Sequence, residues 1–140
     1  MNKTELTKKE RERLITTISG ALEAKEFVLF AYIFGSFVSG KTFNDIDIAI
    51  FIRDPEQGHP LATELALEGE LEKALGLPVD VRTINNAPLT FVYNVLRHKI
   101  VIVERDRLFR TDYECLIFKK YADFSYLRKE YLREVINAPV

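Results

Sequence analysis

Asn44-Asp45-Ile46-Asp47-Ile48-Ala49-Ile50-Phe51-Ile52 is the stretch on which the fold of this chain turns. Side chains alternate between the two faces of a strand. Ile46, Ile48, Ile50 and Ile52 therefore share one face, and Asp45, Asp47, Ala49 and Phe51 share the other. The first face is an apolar wall, and the second opens with two carboxylates. Two like charges about 4 Å apart repel by about 1 kcal/mol in water and by about 4 kcal/mol at an effective dielectric near 20. A strand this apolar gathers two such charges only with compensation. A divalent cation is the usual compensation, and oxygen-only ligands favour Mg²⁺ or Mn²⁺.

Upstream, Phe27–Phe34 is an unbroken apolar run with aromatic and β-branched residues, which suits a strand buried on both faces. It ends at Gly35-Ser36, and eight residues separate Ser36 from Asp45. Glycine lets a backbone approach a ligand closely. The N–H groups that follow and the Ser36 hydroxyl can donate to phosphate oxygens. If residues 36–40 open a short helix, its N-terminus adds a dipole favourable to anions. Further upstream, Thr7-Lys8-Lys9-Glu10 fits a capping box, and Leu14, Ile18, Ala21 and Leu22 predict an amphipathic helix over residues 8–25.

Downstream, the residues from Arg53-Asp54-Pro55 through Gly58-His59-Pro60 predict a loop. Leu61, Leu65, Leu71 and Leu75 predict a helix that stops near Gly76. Val79–Ile84 reads as a short strand in which Asp80 faces away from Val79 and Val81. If that strand neighbours the acidic one, three carboxylates converge. A turn at Asn85–Pro88 leads into a helix carrying Phe91, Val92, Val95 and Leu96, then a strand at Ile100–Val103 and a long helix from Arg107 to about Ile136. The predicted class is α/β: a small mixed sheet flanked by helices, closed by a long C-terminal helix. Phosphate donors beside a two-carboxylate metal site describe a nucleoside-triphosphate–metal site.

Composition bounds the alternatives. A length of 140 residues predicts a single domain over 1–140. A hydrophobic content of 47% excludes a disordered chain. The apolar runs fall far short of the ~20 residues of a spanning helix. No basic-then-apolar N-terminal stretch marks a secretory signal, and one cysteine cannot form an internal disulfide, so a cytoplasmic protein is expected. Lys and Arg total 20 against 21 Asp and Glu, a net charge of −1. That balance provides no global field for nucleic acid, so neither stable nucleic-acid binding nor polymerisation is expected.

Gly35-Ser36-Phe37-Val38-Ser39-Gly40-Lys41, followed by Asn44-Asp45-Ile46-Asp47-Ile48-Ala49-Ile50, resembles the signature of the DNA polymerase β-like nucleotidyltransferases. The resemblance is closest to the minimal nucleotidyltransferases, the MNT or MntA-like antitoxins, and runs essentially the length of the chain. The strand with Asp80, the Asn85–Pro88 turn and Tyr121-Ala122-Asp123-Phe124 are similar to that group as well. By position, the resemblance implies that Gly35 and Ser36 hold the triphosphate of ATP and that Asp45 and Asp47 bind two Mg²⁺ ions. Asp80 would be the third carboxylate, bridging a metal and helping to deprotonate the attacking hydroxyl. It implies AMP transfer to a tyrosine of a HEPN-domain toxin, and so an antitoxin. The spacing from Ser36 to Asp45 is slightly shorter than is common in the family. Val38 stands where a small alanine is usual, and Asn44 where serine is common. Those departures bear on rate and nucleotide preference more than on fold.

Two other functions remain open at this level. One is a binding module that masks a partner without catalysis. The other is transfer to a small molecule, as in the aminoglycoside nucleotidyltransferases, which generally carry an additional substrate domain. A homo-oligomer is a further option.

The remaining candidates are weaker. Lys41, Arg53 and Arg82 are candidate phosphate contacts, and Arg82 shares a strand face with Asp80, so pairing with an acid there suits it equally. His59 and His98 have no partner at metal-ligand spacing, which argues against zinc. His98, near a helix end, is explained by the dipole. Cys115 reads as a small buried hydrophobe, and Lys8–Arg13 as a solvated face. In the last helix, Phe109, Tyr113, Leu116, Ile117, Tyr121, Phe124, Leu127, Tyr131 and Val135 approximate one stripe, with Leu108, Phe118, Tyr126, Leu132 and Ile136 beside it. That is broader than one amphipathic face requires and predicts contact with a partner.

Overall fold

A computed structural model describes residues 4–55 and 60–137. Residues 56–59, and with them His59, lie outside the described residues. The centre is a four-stranded sheet of β2 (Val28–Phe34), β4 (Ile46–Ile52), β5 (Val79–Thr83) and β6 (Ile100–Glu104), in the order β5-β4-β2-β6. β2 runs antiparallel to β4 and β6, and β4 is parallel to β5. A parallel pair needs a crossover, supplied here by α3 (Pro60–Leu75), which ends on Gly76 in the left-handed conformation, φ +70°. The expected α/β architecture of a mixed sheet flanked by helices is the one observed.

The two faces of the sheet bury separate cores. The isoleucine face of β4 packs with Ile18 and Leu22 of α1 (Lys8–Glu23) and with Leu67 and Leu71 of α3. The opposite face carries Phe30, Tyr32 and Ala49 against Val92, Val95 and Leu96 of α4 (Leu89–Arg97) and Ile117 of α5 (Arg107–Asn137). The capping box of α1 is present: Thr7 Oγ1 accepts from the Glu10 N–H, and Glu10 Oε1 accepts from the Thr7 N–H.

The helix expected from Leu61, Leu65, Leu71 and Leu75 is α3, and it stops at Gly76; Leu71 is buried, while Leu61 and Leu65 are 64% and 58% exposed. α3 also presents a line of carboxylates to the outer edge of β5. Glu72, Glu68 and Glu64 accept the N–H groups of Val79, Val81 and Thr83. Unpaired edge N–H groups are costly if buried and a template for aggregation if exposed, and satisfying them sets the rotation of the helix. Cys115 is exposed rather than buried, because it lies on the opposite side of α5 from the buried Ile117. The sequence also offered no sign of a two-stranded antiparallel ladder, β1 (Thr4–Glu5) with β3 (Thr42–Phe43).

α5 docks on the sheet through charge as well as apolar contact. Arg110 is buried and pairs with Glu104, at 2.9 Å, and with Glu114. Glu114 also accepts from the Tyr32 hydroxyl at 2.9 Å and pairs with Lys99 at 3.2 Å. Burial, with the Glu114 carboxylate beside it, pushes the Tyr32 hydroxyl well above its ordinary value. Farther along, the apolar side chains lose their cover, with Leu127 and Tyr131 each 65% exposed and Ile136 79%. Among the described residues no helix is long and apolar enough to cross a membrane.

Candidate active site

The site is built where β2 and β5 flank the start of β4. Asp47 is the Cα partner of Phe34 on one side and of Asp80 on the other. Asp47 and Asp80 therefore lie directly opposite one another on neighbouring parallel strands, with Asp45 two residues before Asp47, just ahead of the strand. All three are half-buried. Burial first, then the charges of Asp45 and Asp80, raise the Asp47 carboxyl to about 6, with Arg82 pulling it down. A half-buried carboxyl held up by burial and by two neighbouring like charges is a candidate functional group.

β2 runs straight into Gly35, the N-cap of α2 (Ser36–Ser39). Its backbone, φ 79° and ψ −155°, lies in a region essentially confined to glycine. A Cβ there would stand 2.3 Å from Asp47 Oδ2. Glycine is thus required twice, by conformation and by close approach to the acidic strand. The short helix entertained for residues 36–40 is present, and Ser36 is exposed at its first position.

The structure thus brings Gly35, Asp47 and Asp80 together. Arg82 pairs with Asp80, Nε to Oδ1 at 3.4 Å, so the ion-pair role is the one observed. Arg82 also borders a cleft of about 270 Å³ lined by Glu64, Thr83, Ala87, Pro88 and Phe91. Lys41 is exposed just beyond α2. Arg53 borders a different cleft, with Leu29, Arg105, Asp106 and Phe109. His98 caps the C-terminus of α4, as expected. Among the described residues no three acidic, histidine or cysteine side chains form a ready-made metal cage. Strand register places Asp47 opposite Asp80, and the side chains of Asp45, Asp47 and Asp80 offer oxygen donors only, the donor type that Mg²⁺ takes.

The sequence profile of the family described as polymerase beta nucleotidyltransferase matches residues 16–108. The chain belongs to that nucleotidyltransferase family. The match spans the Gly35-Ser36 turn and all three aspartates. No curated protein sequence gives a match. Among solved structures, a chain from tri-AMPylated Shewanella oneidensis HEPN toxin in complex with MNT antitoxin superposes with a TM-score of 0.65 at 20% identity, covering 91% of this chain and 97% of its own. A chain from a toxin–antitoxin structure with AMP-PNP gives 0.66 at 18% identity, covering 94% and 99%. A chain from the toxin–antitoxin MntA-HepT gives 0.59 at 18%, covering 94% and 97%. At such identities the likeness establishes the shared fold.

Two residues around this candidate site escaped the sequence. Arg11, expected on a solvated face, is half-buried and donates to the carbonyls of Phe37 and Gly40 at the end of α2. Asn85 clamps Ile52, accepting its N–H at 3.0 Å and donating to its carbonyl at 2.8 Å, which fixes the turn after β5. Neither signal is local, since the partners lie 26 to 33 residues away.

Proposed function

We propose that this nucleotidyltransferase transfers AMP from ATP to a protein hydroxyl, a tyrosine of a HEPN-type toxin, and thereby acts as the antitoxin of a toxin–antitoxin pair. The observation that carries the reading is the register of Asp47 against Asp80, set beside a glycine turn that only glycine can make. Gly35 and Ser36 would receive the triphosphate, with Lys41 and Arg82 as further phosphate contacts. Asp45, Asp47 and Asp80 would hold two Mg²⁺ ions, which supply charge neutralisation for the attacking and leaving oxygens. Asp80 would accept the proton of the acceptor hydroxyl. That oxygen forms a bond to the α-phosphorus, the bond from the α-phosphorus to the α–β bridging oxygen breaks, and pyrophosphate leaves.

The acceptor reading rests on the fold shared with chains from HEPN–MNT and AMP-PNP-bound toxin–antitoxin structures. The exposed apolar side chains of distal α5 offer a surface for such a partner. That same surface supports a second reading, an antitoxin that masks its partner without transfer. A lone cysteine and ATP as donor fit a cytoplasmic setting.

The test is transfer of label from α-labelled ATP, with Mg²⁺ and a HEPN protein from the same host, beside the Asp45→Asn/Asp47→Asn double variant. A labelled tyrosine that requires both aspartates is the expected result. Transfer by the double variant would refute the site. No label despite a stable complex would establish masking, and label in a small molecule would move the acceptor away from protein.

A further inference from the structure

Arg11 reaches from the first turns of α1 to the far end of the glycine turn. Its guanidinium donates to the Phe37 carbonyl and, at 3.0 Å, to the Gly40 carbonyl. It also lies 4.6 Å from the Phe37 ring centroid and 5.9 Å from that of Phe43. Both rings are buried and meet edge to face at 5.0 Å.

α2 has four residues, too few to be stable alone, because helix nucleation costs more than so short a ladder returns. Its closures are Val38 N–H and Ser39 N–H to the Gly35 carbonyl and Gly40 N–H to the Ser36 carbonyl. The carbonyls at a helix end have no helical partner, and a cation there also suits the dipole. Arg11 supplies both. At the opposite end Gly35 abuts Asp47. The turn is therefore pinned between the acidic strand and one arginine. The backbone of Arg11 is anchored in the first turn of α1, where its N–H donates to the Thr7 carbonyl at 3.0 Å beside the Thr7–Glu10 capping box.

We infer that Arg11 is a positioning residue that holds the Gly35–Gly40 turn in its nucleotide-receiving conformation. The inference rests on the reading that Gly35 and Ser36 receive the triphosphate. A lysine would keep the charge but lose the planar fork that reaches two carbonyls while stacking on Phe37.

The experiment compares the full-length wild type with Arg11→Ala and Arg11→Lys. Amide hydrogen exchange is read on the turn, and titration with Mg²⁺ and a non-hydrolysable ATP analogue gives nucleotide affinity. In Arg11→Ala the amides of Val38, Ser39 and Gly40 should exchange at least about tenfold faster while those of β4 and β5 are unchanged. Nucleotide affinity should fall at least about tenfold, equivalent to ~1.4 kcal/mol. KM for ATP should rise with kcat nearly intact, and Arg11→Lys should fall between. Unchanged exchange in the turn would overturn the inference. So would a looser turn that binds nucleotide as the wild type does, which leaves the nucleotide reading standing. A wild type that binds no nucleotide would refute the nucleotide reading and this assignment with it. If Arg11→Ala does not fold, wild-type exchange and affinity in Arg11→Lys would refute the requirement for the fork.

Discussion

Replacing Asp47 with asparagine should stabilise the metal-free protein, and the gain should depend on pH. The Asp47 carboxyl is raised from 3.8 to about 6 by burial and by Asp45 and Asp80. A carboxyl raised in the folded state binds its proton more tightly folded than unfolded. Its charge therefore costs stability above about pH 6, and the cost is relieved as pH falls from about 6 to about 4. The interval between those values sets a ceiling near 3 kcal/mol. Water reaches half of this site and screens the charges, which reduces the cost to about 1–2 kcal/mol. For a domain of this size that is about 3–6 °C in Tm. Thermal unfolding in EDTA should place Asp47→Asn above the wild type at pH 7.5 and level with it near pH 4. Addition of Mg²⁺ should raise the wild type and leave the variant unmoved, closing or reversing the order. A variant less stable than the wild type at pH 7.5 in EDTA, or a gap that ignores pH, would refute the account of Asp47.

Three further outcomes are expected. Gly35→Ala should lower stability by at least about 2 kcal/mol, because it combines a glycine-only backbone with a Cβ 2.3 Å from Asp47 Oδ2; denaturant unfolding measures it. Glu68→Ala should cost about 1–3 kcal/mol by leaving the Val81 N–H without its acceptor, and Glu68→Gln should recover most of that, because its amide oxygen still accepts. Arg110→Ala should cost about 3–5 kcal/mol by leaving Glu104 and Glu114 without their partner beneath α5, read by the same unfolding assay.

Most of the fold was legible because strand and helix periods are local properties. The alternation in Ile46–Ile52 assigned each face of β4, and the burial pattern agrees. The leucine spacing predicted α3 and its end, but not that three of its glutamates accept edge N–H groups of β5, a demand no window of α3 contains. The exposure of Cys115 was not legible because the covered side of α5 is chosen by the sheet: Ile117 faces it and Cys115 lies on the opposite side.

By itself, then, the sequence determined the candidate residues: two aspartates in phase on an apolar strand, a third on another strand, and a glycine-serine turn between two elements. Side-chain phase along a strand follows from backbone geometry and needs no partner. Only the tertiary structure decided that Asp47 and Asp80 are opposed, because strand register is a non-local choice made by the α3 crossover and the burial of both sheet faces. It alone recruited Arg11 to the glycine turn, since a four-residue helix cannot hold itself and must borrow its last hydrogen bonds from elsewhere in the chain.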